Sequence, residues 1–196
     1  MKELPNRQWS LVFLLAVLLL VTTACKGEQA SPPVVLMNTS VAATRSPLPL
    51  TEQALDNLVY HGIYDQAVKL SAGEYTGHPF VEGGASRPVV SLQTLAFGDL
   101  DQDGIADAVV VLAENSGGSG TFIYLAAVLN ENGAPVNTST ILLGDRVKVQ
   151  SLQVADGQIV VTALTHAPED PLCCPTHQAE KTYLLNASQL IPLENE

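Results

Sequence analysis

Four aspartates crowd residues 97–109, which read Phe-Gly-Asp-Leu-Asp-Gln-Asp-Gly-Ile-Ala-Asp-Ala-Val. Asp99, Asp101, Asp103 and Asp107 occupy places 1, 3, 5 and 9 of a loop, with Gly104 at place 6. Calcium takes six to eight hard oxygen ligands in a compact but forgiving shell, and carboxylates at this spacing supply them. Alternate side chains of a tight turn point inward, Gly104 permits the sharp bend, and the Ile105 carbonyl would add a neutral ligand. Left without a cation the carboxylates repel one another, so an ion-free acidic turn is the costlier reading. A shell filled by the protein leaves little room for substrate, so the expected role of the ion is structural.

A second candidate lies at residues 170–177, Asp-Pro-Leu-Cys-Cys-Pro-Thr-His. Cys173 and Cys174 are two of the three cysteines in the chain. Bonded to each other, they would close a ring across neighbouring Cα atoms about 3.8 Å apart, and the benefit would be a stiffened turn between Pro171 and Pro175. A zinc site would recruit His166 and His177 as well, but tetrahedral sites usually keep two or more residues between ligating cysteines. A redox centre needs a depressed thiol pKa, and Glu169 and Asp170 push the other way. The structural disulfide is favoured, with metal and redox roles for His166, Cys173, Cys174 and His177 as the alternative.

Other suggestive stretches carry less chemistry. Residues 115–120, Asn-Ser-Gly-Gly-Ser-Gly, lack the Gly-Lys-Ser/Thr ending of a phosphate loop and run into a strand pattern, so they read as a hairpin loop. Ser119 is not in a G-x-S-x-G elbow, because Thr121 follows Gly120. His61 and His78 are isolated. Tyr60, Tyr64 and Tyr75 suit either an aromatic patch or core packing. No nucleophile–base pair can be placed, so a binding role is expected rather than an enzyme.

The elements that must position these groups are mostly strands. Period-two apolar patterns predict strands at 59–63, 67–76, 88–97, 108–114, 121–130, 136–143, 146–154, 158–166 and 179–186. Asn132-Gly133 and Asp156-Gly157 are hairpin turns in waiting. Around Gln150-Ser151 the alternation slips once, which predicts a β-bulge. Residues 108–113 are apolar at every place and therefore belong to a central strand covered on both faces. A short helix is expected after Thr51, a good N-cap with Glu52 in its first turn. The fold class is mostly β, an antiparallel sheet or sandwich with one short N-terminal helix, in a single domain over 51–196.

The N-terminal residues give an address. Lys2 and Arg7 precede an uncharged apolar run at 11–21, roughly 16 Å of helix and about half a bilayer core, which is signal-peptide length. Thr22-Thr23-Ala24-Cys25 resembles the lipobox of bacterial lipoproteins. The resemblance implies a signal peptide over 1–24, and diacylglycerol on the Cys25 sulfur with a further acyl chain such as palmitate on its amine. Two or more chains anchor a protein stably to a membrane. Residues 25–50, with prolines at 32, 33, 47 and 49, read as a flexible tether behind that anchor. The expected location is the extracytoplasmic face of the bacterial cell envelope. A formal net charge of −11 with nine lysines and arginines leaves no phosphate-facing basic patch, which excludes nucleic acid as a partner. A protein or glycan ligand is expected instead.

Two family resemblances follow from these residues. An EF-hand would need a glutamate at loop place 12, where Val110 stands, and helices in place of the strands predicted on either side. The acidic stretch instead resembles the strand–loop–strand calcium loops of FG-GAP and VCBS repeats, of which this chain holds one copy rather than a propeller's several. Taken together, the acidic loop, "LGDRVKVQSLQV", "GQIVV" and "DPLCCPTH" resemble an uncharacterised domain of bacterial secreted proteins and lipoproteins, sometimes found beside META-type (HslJ-like) domains. That resemblance spans about 55–185 and implies a mostly β domain outside the cytoplasm, without an activity or catalytic residues to carry over.

Overall fold

Residue 108 onward sets the architecture, because a strand with no polar face must be covered twice. In the computed structural model, which describes residues 48–193, this stretch is the middle strand of a five-stranded antiparallel sheet. Strands β1 (Val59–Tyr60) and β2 (Val68–Lys69) form a small hairpin. The larger sheet runs in the order β3 (Glu74–Thr76), β4 (Val89–Gly98), β5 (Asp107–Asn115), β6 (Phe122–Glu131) and β7 (Ala134–Asp145). A four-stranded sheet follows, β8 (Lys148–Ala155), β9 (Gln158–Thr165), β10 (His177–Asn186) and β11 (Gln189–Leu193), in the spatial order β11-β10-β9-β8. The described residues are therefore mostly β, with every strand pair antiparallel, as the patterning predicts.

The faces of β5 divide the core. Ala108, Val110 and Leu112 pack with Ala126 and Val128 of β6 beneath Leu55, Tyr60, Val68 and Leu70 of the N-terminal segment. Val109 and Val111 pack with Ile123, Leu125 and Ala127 against Ile159, Val161, Ala163 and Tyr183 of the second sheet. Three layers result, with the five-stranded sheet in the middle. The one-turn helix α1 (Glu52–Leu55) closes the outer layer. Thr51 is its N-cap, with Oγ1 accepting from the Ala54 N–H at 3.2 Å, and it buries Leu55. Two polar changes explain why it ends there: Asp56 caps it, and the Gly73 N–H donates to the Asp56 carbonyl.

Bulges adjust which side chains reach each core. Gln150 is the extra residue on β8, where pairing shifts from Val149 to Ser151. That slip lets Val147 and Val149 share the inter-sheet core with Leu152 and Val154, as the break in alternation predicts. Gln93 does the same on β4, so that Leu95 joins Val90 and Leu92 on the outer core. One predicted span is corrected and one unpredicted strand is added. Residues 67–76 are not one strand, because Ala72 and Gly73 take φ of 52° and 80° and turn the chain between β2 and β3. The added strand is β11, which the apolar pattern did not single out. It follows a tight turn in which Ala187 and Ser188 carry φ of 46° and 63° without an Asn-Gly or Asp-Gly signal.

The two sheets are in close contact where β4 ends. A Cβ on Gly98 would stand 2.6 Å from the Val154 Cβ of β8, too near for either backbone to tolerate. Gly98→Ala is expected to destabilise the fold by about 1–3 kcal/mol through overpacking. Gly118→Ala, where nothing lies within 4 Å of the added carbon, is the matched control and leaves the melting temperature unchanged. Equal melting of the two variants would contradict this packing.

Candidate functional site

Residues 99–106 join β4 to β5, so the acidic loop is the turn between two strands of the central sheet. Gln102 and Gly104 adopt φ of 63° and 86°, which curls the backbone around its own carboxylates. Asp99 accepts from the N–H groups of Asp103 at 3.1 Å and Gly104 at 2.9 Å. Asp101 also accepts from the Asp103 N–H, at 3.2 Å, and Asp103 accepts from the Ile105 N–H at 2.7 Å. These bonds hold the aspartates in place as side chains of a turn.

Asp107 differs from the others. As the first residue of β5 it is 2% exposed, and its two oxygens accept from the N–H groups of Leu100 and Asn130, each at 2.8 Å. Burial pushes its pKa up, the two backbone N–H groups oppose that shift, and the charges of Asp101 and Asp103 add to it. Asn130 was not singled out in the sequence, yet it links three segments. Its amide nitrogen donates to the carbonyls of Leu48 and Ala106, and its Oδ1 accepts from the Gly133 N–H at 2.7 Å. A buried asparagine closing an apolar strand, just before the Asn132-Gly133 turn, was the available signal.

Ligand oxygens of Asp99, Asp101 and Asp107 lie within 4.8 Å of one another. Asp103 falls outside this group. An ionised carboxylate offers about four lone-pair sites, so the backbone bonds leave acceptor capacity on each of the three. Hard oxygens at this separation fit calcium or another hard divalent cation, and Ile105 sits on the same turn.

The cysteine loop lies at the opposite end of the second sheet. It connects β9 to β10, and His177 pairs with Thr165 across its base. Cys173 and Cys174 form the vicinal disulfide, both exposed, with Cα atoms 3.8 Å apart. Asp170 organises the loop. It accepts from the N–H groups of Ala167 at 2.8 Å and Thr176 at 2.7 Å, and from the Thr176 hydroxyl at 2.7 Å. The Ala167 bond leads in holding its pKa below the ordinary carboxylate value, with Thr176 and the nearby His166 adding to it. Among the described residues, His166, Cys173, Cys174 and His177 do not form a metal-ligating group. The sulfurs are bonded to each other, His177 is exposed, and the buried Nε2 of His166 has no hydrogen-bond partner.

The glycine-rich stretch connects the paired strands β5 and β6, as a hairpin loop should. Asn115 braces it through its amide to the Gly120 carbonyl at 2.6 Å and its Oδ1 to the Gly117 N–H at 2.8 Å. The tyrosines part company. Tyr60 is fully buried and donates to the Leu55 carbonyl, and Tyr75 packs at the core margin. Tyr64 is half-buried at the edge of the outer core and donates to the buried Glu114 carboxylate at 2.6 Å. Burial, then that bond, raises its phenol pKa well above the usual value. His61 and His78 are exposed, which fits isolated surface histidines.

Fold and site together define a two-sheet antiparallel β domain with a carboxylate-lined turn at one end and a disulfide loop at the other. Compared with protein-family models, with curated proteins and with solved structures, the chain finds no match in any of the three. The apolar run, the lipobox cysteine Cys25 and most of the tether lie outside the described residues.

A depressed carboxylate pKa contributes stability that is present above the unfolded value and lost as pH falls through the folded one. The amides of Ala167 and Thr176 should therefore stay protected from hydrogen exchange at neutral pH and through the ordinary carboxylate range. They should lose protection on further acidification, as Asp170 protonates. Asp170→Ala should remove the protection at pH 7. Unchanged exchange in that variant would show that another group closes the loop.

Proposed function

We propose that this chain is a lipid-anchored bacterial envelope protein whose β domain is stabilised by one calcium ion and acts in binding rather than turnover. The observation that carries the reading is the convergence of Asp99, Asp101 and Asp107 within 4.8 Å on a turn of the central sheet. The Ile105 carbonyl and water would complete the shell, and Asp103 would join by turning its free carboxylate oxygen toward the other three. Calcium bound there would neutralise charge set against the core, where Asp107 is held by β5 and cannot withdraw into water. The anchor rests on the sequence: the charged start, the short apolar run and Cys25. A protein or glycan partner is the expected ligand class.

A thiol-handling role in the envelope is the second reading, favoured by one feature. The Cys173–Cys174 disulfide is exposed rather than sealed in the core, so a reducing partner can reach it.

Saturating calcium should raise the melting temperature by about 5–10 °C. Asp101→Asn should abolish most of that gain and leave the calcium-free melting temperature equal or higher, because a repulsive charge is gone. Absence of a calcium-dependent shift in the parent protein would sink the reading. For the anchor, Cys25→Ser should move the protein from the membrane fraction to the soluble fraction of expressing cells. Mild reductant should leave the calcium response intact under the first reading. A reversible two-electron exchange with a redox partner, lost in Cys174→Ser, would promote the second.

A further inference from the structure

At the end of the central sheet away from the acidic loop, the connection after β1 and the connection between β3 and β4 enclose an open cleft of about 520 Å³. Tyr64, Asp65, Gln66 and Phe80 line it, and none of them is basic. The Tyr64 and Phe80 rings meet edge to face, with centroids 6.4 Å apart and planes at 73°. Phe80 is 67% exposed and Val81 beside it 72%, so the ring has hydrophobic burial still to gain. Its loop is seated by Ser86, which lies against Gly117 of the glycine-rich hairpin loop.

Behind the cleft is a charge with no counterion. Glu114 is 2% exposed, and its Oε1 accepts from the Tyr64 phenol and from the Ser116 hydroxyl. Among the described residues the one salt bridge joins Arg146 to Asp145, so no basic side chain pairs with Glu114. A phenol that donates to a carboxylate holds a more electron-rich ring, and an electron-rich ring face attracts a cation more strongly. Asp65 adds a second carboxylate at the rim. Apolar ring surface, a carboxylate behind one ring and another at the mouth form the complement of an alkylammonium group. A neutral ligand would gain the ring contacts alone, and an anion would be repelled.

We infer that the Tyr64–Phe80 cleft is a binding site for an alkylammonium group, carried either by a small quaternary amine or by a lysine side chain of a partner. It stands apart from the acidic loop and does not require calcium.

Choline and its uncharged isostere 3,3-dimethylbutan-1-ol are the decisive probes, titrated into the ¹⁵N-labelled protein. Choline should shift the amides of residues 64–66 and 80–82, and bind about tenfold more tightly than the alcohol. Phe80→Leu keeps apolar surface but removes the π face at an exposed position that cannot disturb the fold. It should bring the two probes close to parity. Tyr64→Phe keeps the ring and breaks the Glu114 bond, and should weaken choline about threefold while sparing the alcohol. Nα-acetyl-lysine methylamide forms the second arm: tighter choline assigns the site to a quaternary amine, and tighter lysine assigns it to a partner's side chain. Asp101→Asn should leave every one of these affinities unchanged, so a failed calcium test and a failed cleft test are separable. Equal binding of choline and the alcohol, shifts confined to other residues, or no saturable binding by any cation would overturn the proposal.

Discussion

Strand β5 has no face to offer to water, and the architecture follows from that constraint. Each fully buried Val or Leu contributes about 1.5–3 kcal/mol relative to exposure, so leaving either face of β5 open would forfeit several such terms. One cover comes from the second sheet. The other comes from the short N-terminal segment, whose α1, β1 and β2 are too small to be stable alone. Those elements exist because Leu55, Tyr60, Val68 and Leu70 have a finished apolar surface to dock on. Propensity contributes little, since a single helical turn does not recover its nucleation cost.

The same strand explains why the acidic turn is not an ordinary surface loop. Asp107 is the first residue of β5, so its carboxylate is delivered into the protein by the register that buries Ala108 and Val109. Desolvating a carboxylate costs several kcal/mol unless hydrogen bonds or an opposite charge offset it. Leu100 and Asn130 supply two backbone N–H groups, while Asp99 and Asp101 bring further negative charge to the same place. Asn130 then spreads the consequence by tying the loop at Ala106 to Leu48 and to the β6–β7 turn. A cation at this point would relieve repulsion and brace three segments at once, and for that reason a structural ion is the natural proposal.

What was legible in the sequence was whatever depended on local pattern. The all-apolar run at β5, the slip at Gln150, the Asn132-Gly133 and Asp156-Gly157 hairpins and the Thr51 cap each follow from neighbours a few residues apart. Features set by distant partners were not legible. Ala187-Ser188 turns with φ positive at both residues because β10 and β11 pair across it, a cost that no residue type announced. Asp103 fits the ligand spacing but turns to the Ile105 N–H, since spacing fixes position along the chain and not side-chain direction. Asp170 reads as a charge hostile to thiols, yet its main work is closing the loop through Thr176. Phe80 lies in a stretch with no period, so its meeting with Tyr64 was invisible until the loops were folded.

Distance keeps the two ends of the domain chemically separate. β5 alone spans about 30 Å, several times the roughly 8 Å over which charges in physiological salt feel one another through solvent. The carboxylates around Asp107 and the buried Glu114 therefore set their local fields independently, although one strand carries both. A chain of formal charge −11 spends part of its acidity at these two points, where burial makes it costly and gives it direction. The two cation chemistries proposed there differ for a physical reason. At the Asp107 end three carboxylate oxygens converge, which suits a small hard ion stripped of much of its water. At the Glu114 end the charge lies behind a phenol ring, and a ring face attracts a bulky, weakly hydrated cation without having to strip a tightly held shell.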